Sequence, residues 1–228
     1  MQFAPLYPWL YKVLKPTFSD CLWSGRLDVP QVALTFDDGP HPQYTQALLK
    51  VLDDYQVPGS FFWLGECVAR SPKMAQAVAA RSHHIGLHGY THRSFPRLTD
   101  RELRESLRQT QDIIAQTCGI ERDRLVDVRP PNGLFTPRTL KLLRQWHYRP
   151  VMWSVVPEDW VCPGVNTVIE RVLQQVTPGS LIVLHDGNCG GRDVAAIADY
   201  LIRALQQRGY HFVTIEQLWR DRDEQIKN

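Results

Sequence analysis

The chain has 228 residues, 43% hydrophobic and 22% charged, and its 26 basic and 24 acidic side chains leave a net charge of +2. This composition is typical of a globular protein with a sizeable core and excludes a disordered chain. Without a basic block carrying interleaved aromatic residues, the sequence predicts no nucleic-acid partner. The five cysteines show neither CxxC pairing nor zinc-finger spacing, and an odd count in a chain of this size argues against a disulfide framework.

The opening segment, "MQFAPLYPWLYKVLKP", is apolar and aromatic, but Pro5 and Pro8 interrupt it and no basic start precedes it. It is not a typical signal peptide, and no segment approaches the roughly 20 apolar residues of a membrane span. Two locations are compatible with residues 3–15: packed on the domain's own surface, or in peripheral contact with a membrane interface. We treat residues 1–29 as an N-terminal extension. The localisation stays undecided, cytoplasmic by default with cell-envelope association as the alternative.

From residue 31, apolar strands alternate with amphipathic helices. The predicted strands are QVALTF (31–36), SFFWLG (60–65), HIGLH (84–88), LVDVR (125–129), RPVMWSVV (149–156), SLIVLHD (180–186) and HFVTI (211–215). The predicted helices cover 43–56, 71–82, 99–119, 136–147, 165–176 and 193–209, with a short helix at the end of the chain. This alternation predicts an α/β fold with a parallel sheet, either open or closed into a barrel.

Polar motifs follow four of these strands. "TFDDGP", "GLHGYTH", "VRPPNG" and "VLHDG" each stand at the carboxyl end of a predicted strand. This placement favours the barrel, but it does not decide alone, because both open and closed parallel α/β folds keep their active sites at that end. The sequence contains no GxGxxG motif and no P-loop, so we expect no nucleotide cofactor.

Two of the motifs together suggest a metal site. His88 and His92 are four residues apart, a spacing that brings two imidazoles to one face, although a chance pair is a real alternative among eight histidines. One carboxylate of Asp37 and Asp38 would complete a three-ligand set with an open fourth position, which is the layout of a catalytic metal site. The other carboxylate would then be free to act as a base. Strand alternation predicts that the two aspartates point in different directions.

The remaining motifs supply further candidates. Arg129 carries a planar guanidinium suited to orienting a carboxylate. Pro130 and Pro131 have no N–H, so Asn132 offers the first backbone donor of that loop, a candidate oxyanion site. His185, after four apolar residues, is a candidate general acid at the rim of the same pocket. Taken singly, the loop from Arg129 to Asn132 is also explained as an ordinary proline-rich turn, and His185 as a buried histidine.

In this order, the four motifs resemble the NodB-like polysaccharide deacetylases of carbohydrate esterase family 4, from about residue 30 to 218. The resemblance implies a distorted (β/α) barrel of seven or eight strands at residues 30–220, followed by a tail at 221–228. It also implies a metal-dependent hydrolase that removes N-acetyl groups from polysaccharides containing N-acetylglucosamine, of the chitooligosaccharide or peptidoglycan type. Zinc is the expected metal, with cobalt and nickel as alternatives.

The resemblance carries three sets of roles over to this chain. The catalytic set is Asp37 as general base, Arg129 as its orienting partner and His185 as general acid. The expected metal ligands are Asp38, His88 and His92. The residues expected around the substrate are Asn132, whose backbone N–H would hold the oxyanion, and Trp160 and Leu184, which would line the acetyl pocket.

The largest departure from the family pattern lies just before Trp160. The motif carries an aspartate four residues before Trp160 that partners the catalytic histidine, and this chain has Val156 there. A histidine without a carboxylate neighbour loses the main interaction that favours its charged form. Glu158 and Asp159 are possible substitutes; without one, activity should decline at lower pH than in a Val156→Asp variant. A carbohydrate-binding pseudoenzyme is therefore one alternative, and an acetyl-xylan esterase is another.

Cys162 and Cys189 are predicted to lie on loops at the active-site face. Two thiols on neighbouring loops would be able to pair in an oxidising compartment. Whether they pair stays open, because a cysteine is equally well explained as a small, buried apolar residue.

Overall fold

A curved parallel sheet forms the centre of the computed structural model, which describes residues 6–227 and the side chains of residues 6–224. Its seven strands in that range are β1 (Gln31–Asp37), β2 (Ser60–Trp63), β3 (His84–Leu87), β4 (Asp127–Val128), β5 (Arg149–Pro150), β6 (Ser180–His185) and β7 (His211–Phe212). Their order is β5-β4-β3-β2-β1-β6, and β7 pairs with the start of β1. Every pairing is parallel, as the alternation of strands and helices predicts.

The two edges of this sheet meet, so the sheet closes into a distorted barrel. Beyond β5, Val155 pairs in parallel with Ile182 of β6. The Val155 N–H donates to the Leu181 carbonyl at 3.0 Å, and the Val183 N–H donates to the Val155 carbonyl at 3.0 Å. The predicted barrel, rather than an open doubly wound sheet, is therefore confirmed.

A short N-terminal segment completes the seam. Leu22 pairs in parallel with Val151, and Ser24 pairs in antiparallel fashion with Ser180. The Met152 N–H donates to the Leu22 carbonyl at 2.8 Å, so the backbone just after β5 is bonded to Leu22 and not to β6. The prediction of one continuous strand over 149–156 is wrong for this reason. Residues 22–24, within the predicted N-terminal extension, form part of the barrel wall.

Helices surround the sheet. Those in the described residues are α1 (Tyr7–Thr17), α2 (Tyr44–Tyr55), α3 (Gly65–Arg70), α4 (Pro72–Ala79), α5 (Asp100–Cys118), α6 (Pro137–Gln145), α7 (Val165–Gln175), α8 (Gly191–Gln207) and α9 (Ile215–Lys227). Helix α5 shows how local sequence determines its ends. Thr99 and Glu102 form a reciprocal capping box at its start, and Gly119 ends it in a left-handed conformation. Helix α9 runs across the predicted boundary between residues 220 and 221.

The two faces of β1 enter different apolar clusters. Leu34 and Phe36 belong to the larger cluster, which includes buried side chains of most of the helices. Ala33 belongs to a smaller cluster with side chains of neighbouring strands and of α9, including Trp219. Farther along that second face, Thr35 and Asp37 are buried polar residues. Helix α9 thus packs at one end of the barrel, and polar side chains gather at the other.

Helix α1 packs on this barrel through one side and exposes the other. Tyr7, Leu10, Tyr11 and Leu14 lie against the large cluster. Trp9 and Val13, on the opposite side, are 61% and 44% exposed. None of the helices within residues 6–227 is both long and apolar enough to cross a bilayer.

Candidate active site

The paired aspartates end β1. Asp37 is the last strand residue and is 4% exposed, and Asp38 follows with a φ of 72°. Aspartate tolerates this left-handed conformation better than most residues. Because the turn at Asp38 breaks the alternation of the strand, both carboxylates border one pocket instead of opposite faces. Gly187 leaves the necessary room, since a Cβ there would lie 2.6 Å from the Asp38 Cβ.

Asp37 is held by Arg129, which is 1% exposed. The Arg129 Nη1 donates to Asp37 Oδ1 at 2.7 Å and to Thr35 Oγ1 at 2.7 Å, and Nη2 donates to the Met152 carbonyl at 2.8 Å. The guanidinium carbon also lies 4.2 Å from the centre of the Phe62 ring. These contacts fix the orientation of the guanidinium and, through it, that of the Asp37 carboxylate.

The electrostatic surroundings keep Asp37 ionised. Burial by itself would raise the pKa of Asp37, but the positive charge of Arg129, with further electrostatic contributions from His88 and His185, lowers that pKa below its usual value. A carboxylate that stays ionised in a buried pocket is able to accept a proton from a nearby water molecule. The role of Asp37 as the general base stays a prediction, and its contacts with Arg129 are compatible with it.

Asp38, His88 and His92 form a compact set of metal donors. Their ligand atoms all lie within 4.8 Å of one another, and Asp38 Oδ1 is 3.4 Å from the Nε2 atoms of both histidines. The His88 Nδ1 lies 2.7 Å from the Arg129 carbonyl. Since a carbonyl only accepts, Nδ1 carries the proton and the Nε2 lone pair faces Asp38.

The chemistry of this set fits a divalent metal. Asp38 Oδ1 is buried and has no hydrogen-bond partner among the described residues. A buried carboxylate oxygen without a partner is costly unless a cation neutralises it. One carboxylate oxygen and two imidazole nitrogens are the donors that zinc and similar metals take in catalytic sites with an open position.

His185 has a carboxylate partner after all. Its Nδ1 lies 2.8 Å from Asp159 Oδ1, and its backbone N–H donates to Asp159 Oδ2 at 2.7 Å. Val156 therefore does not leave His185 without an acidic neighbour, because Asp159, one of the two possible substitutes, lies beside the ring. The left-handed conformation of Glu158, with φ of 58°, precedes a short 3-10 turn that carries Asp159. Gly190 leaves space beside it, since a Cβ there would lie 2.9 Å from Asp159 Oδ2.

This pair sets the protonation of His185. Burial lowers the pKa of His185, but the Asp159 carboxylate more than offsets that effect and raises the pKa to about 9. The imidazole is thus protonated at neutral pH, with Nδ1 held by Asp159 and Nε2 available as a donor. Of the two substitutes considered from the sequence, Asp159 takes the role; the Glu158 carboxylate lies 3.5 Å from the Arg171 guanidinium instead.

The pocket between these groups has a volume of about 430 Å³. Asn132 and Trp160 line it, as predicted, and the Trp160 ring stands edge-on to the His185 ring at 5.1 Å. Leu184 does not, because it is fully buried in the large apolar cluster, and the prediction for it is wrong. Val183 lines the pocket instead, since residues two apart on a strand share a face and Val183 shares one with His185.

Other lining residues have no signal in the sequence. Trp153 and Tyr7 reach the pocket from the end of the barrel seam and from helix α1. Their positions depend on contacts between segments far apart in the chain, which local patterns do not encode. Cys162 and Cys189 are free thiols in this structure, and Cys189 lies on the pocket wall.

An ionised aspartate, a three-donor metal set and a protonated histidine around one pocket define a metal-dependent hydrolase. The family described as polysaccharide deacetylase matches residues 24–151 of this chain. A chitooligosaccharide deacetylase of Bradyrhizobium sp. (strain ANU 289) is 34% identical over 199 residues, covering 82% of this chain and 90% of that protein. A peptidoglycan-N-acetylglucosamine deacetylase of Bacillus cereus is 32% identical over 214 residues, covering 92% of this chain and 98% of that protein.

The fold agrees with these relatives. The crystal structure of the Bc1960 peptidoglycan N-acetylglucosamine deacetylase matches with a TM-score of 0.83 and 30% identity, covering 87% of this chain and 92% of that one. This chain therefore belongs to the polysaccharide deacetylase family, as its motifs indicated. The named relatives are deacetylases, which hydrolyse carbon–nitrogen amide bonds, and deacetylases of this family depend on a metal; this confirms the predicted class of enzyme.

Proposed function

We propose that this protein removes N-acetyl groups from a glycan that contains N-acetylglucosamine, of the chitooligosaccharide or peptidoglycan type. The observation that carries the proposal is the placement of Asp37 and His185 in one pocket with the donor set of Asp38, His88 and His92. The names of two relatives, a chitooligosaccharide deacetylase and a peptidoglycan-N-acetylglucosamine deacetylase, support the substrate class.

The proposed reaction begins with an attack of water on the acetyl carbonyl carbon. Asp37, held by Arg129, takes the proton of the attacking water. Asp38, His88 and His92 would hold a divalent metal, which we propose to be zinc, with cobalt or nickel as alternatives. When bound, the metal supplies polarisation of the carbonyl and a lowered pKa for water.

The second half of the reaction depends on the opposite wall of the pocket. The backbone N–H of Asn132 donates to the oxyanion that forms on the carbonyl oxygen. The carbon–nitrogen bond then breaks as His185 Nε2 gives its proton to the leaving nitrogen, and the products are acetate and a free amine. Asp159 keeps Nδ1 of the same ring occupied, so the proton leaves from the nitrogen that faces the pocket.

The test is acetate release by the metal-loaded protein, after metal analysis of the purified chain. We expect one equivalent of metal and acetate release from N-acetylated chitooligosaccharide or peptidoglycan fragments, with little from acetylated xylan. A matched Asp37→Asn variant should keep the metal and lose the activity. If acetate is released from acetylated xylan alone, the protein is an acetyl-xylan esterase and not an amidase. If the metal-loaded protein is inactive on all three substrates, it is a carbohydrate-binding pseudoenzyme.

We also propose that helix α1 rests on a membrane interface and associates the protein with the cell envelope. The supporting observation is its outer side, where Leu6 and Trp9 are 51% and 61% exposed and Lys12 is exposed beside them. Apolar side chains flanked by lysines suit a surface of anionic lipid. Residues 3–5 of the predicted contact lie outside the described part of the chain. Cosedimentation with anionic vesicles should be lost in Trp9→Ser, and equal binding by both proteins would contradict the proposal.

A further inference from the structure

Helix α1 places an aromatic ring in the active-site pocket, although it lies outside residues 24–151 that match the family. Tyr7, near the start of the helix, lines the pocket. Its ring stands edge-on to Trp153 at 5.4 Å and to Trp160 at 6.3 Å, with interplanar angles of 88° and 84°. Because Trp160 in turn contacts the ring of His185, only one ring separates Tyr7 from the proposed general acid.

The rest of the helix holds Tyr7 in this position. One turn further along, Tyr11 stands edge-on to the buried Trp23 at 6.5 Å. Lys15 Nζ donates to the Tyr11 hydroxyl at 2.9 Å and to Ser24 Oγ at 2.6 Å, which links the helix to the barrel seam. Trp23 also packs edge-on against Trp153 at 5.6 Å. Edge-to-face aromatic pairs of this kind stabilise the packing beyond the effect of their buried area.

The pocket has a polar wall and an apolar wall. The polar wall holds the proposed base, the metal donors and the general acid. The apolar wall is made by Tyr7, Trp153, Val156, Trp160 and Val183. A substrate whose carbonyl carbon lies at the polar wall directs its methyl group toward these apolar side chains.

The Tyr7 side chain stays neutral in this place. Burial, together with the negative charge of Glu158, raises the pKa of the Tyr7 hydroxyl above its ordinary value. The ring therefore presents an uncharged surface to the pocket throughout the neutral and mildly alkaline range.

We propose that Tyr7 closes the acyl end of the pocket and limits the acyl group to acetyl. This role makes Tyr7 a specificity-determining residue supplied by a helix outside the matched family region. The inference rests on the proposed function, because it assumes that the pocket takes the acyl group of a substrate.

The first experiment compares N-acetyl and N-propionyl chitooligosaccharides as substrates of the zinc-loaded protein. One methylene group in an apolar pocket changes kcat/KM by about 10–200-fold. We expect Tyr7→Ala to raise the ratio of propionyl to acetyl hydrolysis about tenfold, and Tyr7→Phe to keep the wild-type ratio. Trp9→Ala is the matched control, since it removes an aromatic ring from the exposed side of α1, away from the pocket.

A second experiment decides the matter even if the wild-type protein hydrolyses no glycan, which would overturn the proposed function alone. Alkyl hydroxamates of increasing chain length bind to the metal of such sites, and calorimetry measures their Kd. Tyr7→Ala, or Tyr7→Leu if the alanine variant does not fold, should favour butyrohydroxamate over acetohydroxamate more than the wild type does. Equal acyl-length preferences in wild type, Tyr7→Ala and Trp9→Ala would overturn the role of Tyr7.

Discussion

Strand β3 carries a histidine–carboxylate cluster at each of its ends. After its last residue, His88 joins Asp38 and His92 in the proposed metal site, and at its first residue His84 joins Asp127 and Glu216. In both clusters the ligand atoms lie within 4.8 Å of one another. By composition and spacing alone, each cluster is a candidate for a metal.

The difference is a cation supplied by the protein itself. Arg149 Nη2 donates to Asp127 Oδ2 at 2.8 Å and to Glu216 Oε2 at 2.7 Å. The Asp127 Oδ1 atom accepts from Arg149 Nε at 2.9 Å and from Trp219 Nε1 at 2.9 Å. Arg129 makes the equivalent bond to Asp37 and not to Asp38, so the Asp38 oxygen stays buried without a partner among the described residues. Both clusters have donor atoms, so donors do not distinguish them. The proposed metal site differs because no arginine among the described residues neutralises Asp38.

The strongest test of this comparison exchanges one histidine at each end. His88→Ala should lose the metal and reduce acetate release to background, because it removes a ligand. His84→Ala should retain one equivalent of metal and its activity, because Arg149 already neutralises that cluster. Metal content after dialysis and acetate release are the measurements. Metal loss in His84→Ala with retention in His88→Ala would reverse the assignment.

A second test separates the base from the ligands. Asp37→Asn should keep the metal and reduce kcat by about 10²–10⁴-fold, because the amide is unable to take the proton of water. Asp127→Asn, at the other end of the barrel, is the control and should leave kcat within about twofold in protein that remains folded. If Asp37→Asn hydrolyses at the wild-type rate, the base is a different group.

The cluster at the other end should matter for stability. Asp127→Ala should lower the free energy of unfolding by on the order of 3 kcal/mol, because it leaves the partly buried Arg149 charge without its main partner. The exposed pair of Lys50 and Asp54 provides the contrast, and Asp54→Ala should cost under about 1 kcal/mol. Urea unfolding of the metal-free proteins measures both. Similar losses in the two variants would show that the buried network contributes no more than a surface pair.

The pH dependence tests the third histidine–carboxylate pair. His185 donates only while protonated, so activity should fall as the pH rises through its pKa of about 9. Asp159→Asn removes the interaction that raises this pKa, so the alkaline limb of the kcat/KM profile should move to lower pH by about one unit or more. Val156→Asp should leave that limb in place, since Asp159 already occupies the partner position. A profile unchanged in Asp159→Asn would exclude the pair as the source of the alkaline limb.

The sequence predicted those parts of the fold that depend on neighbours along the chain. Helix α5 begins at its capping box and ends at Gly119, as predicted, because hydrogen bonds within three or four residues determine both ends. The motifs at the carboxyl ends of β1, β3, β4 and β6 meet in one pocket because parallel strands end on the same side of a barrel. For that reason, the sequence indicated the aspartate, arginine and histidine side chains that line this pocket.

Where prediction failed, the deciding contacts join distant segments. Val156 has no carboxylate to offer, and only the left-handed turn at Glu158 brings Asp159 to His185. The motif indicates Leu184 for the pocket, whereas the register of β6 turns Val183 toward it. In each case the residue in contact lies only a few positions from the expected one. The conformation of a loop or the pleat of a strand decides which of these neighbouring residues makes the contact.

By itself, the sequence determined the alternating α/β pattern, the family and the chemical character of the proposed base, metal ligands and acid, because these depend on residue type and local spacing. Only the tertiary structure decided which carboxylate holds His185, which cluster has its own cation and that Tyr7 enters the pocket. Charge balance and packing at these places depend on segments that come together only when the barrel closes. Local sequence patterns therefore do not predict them.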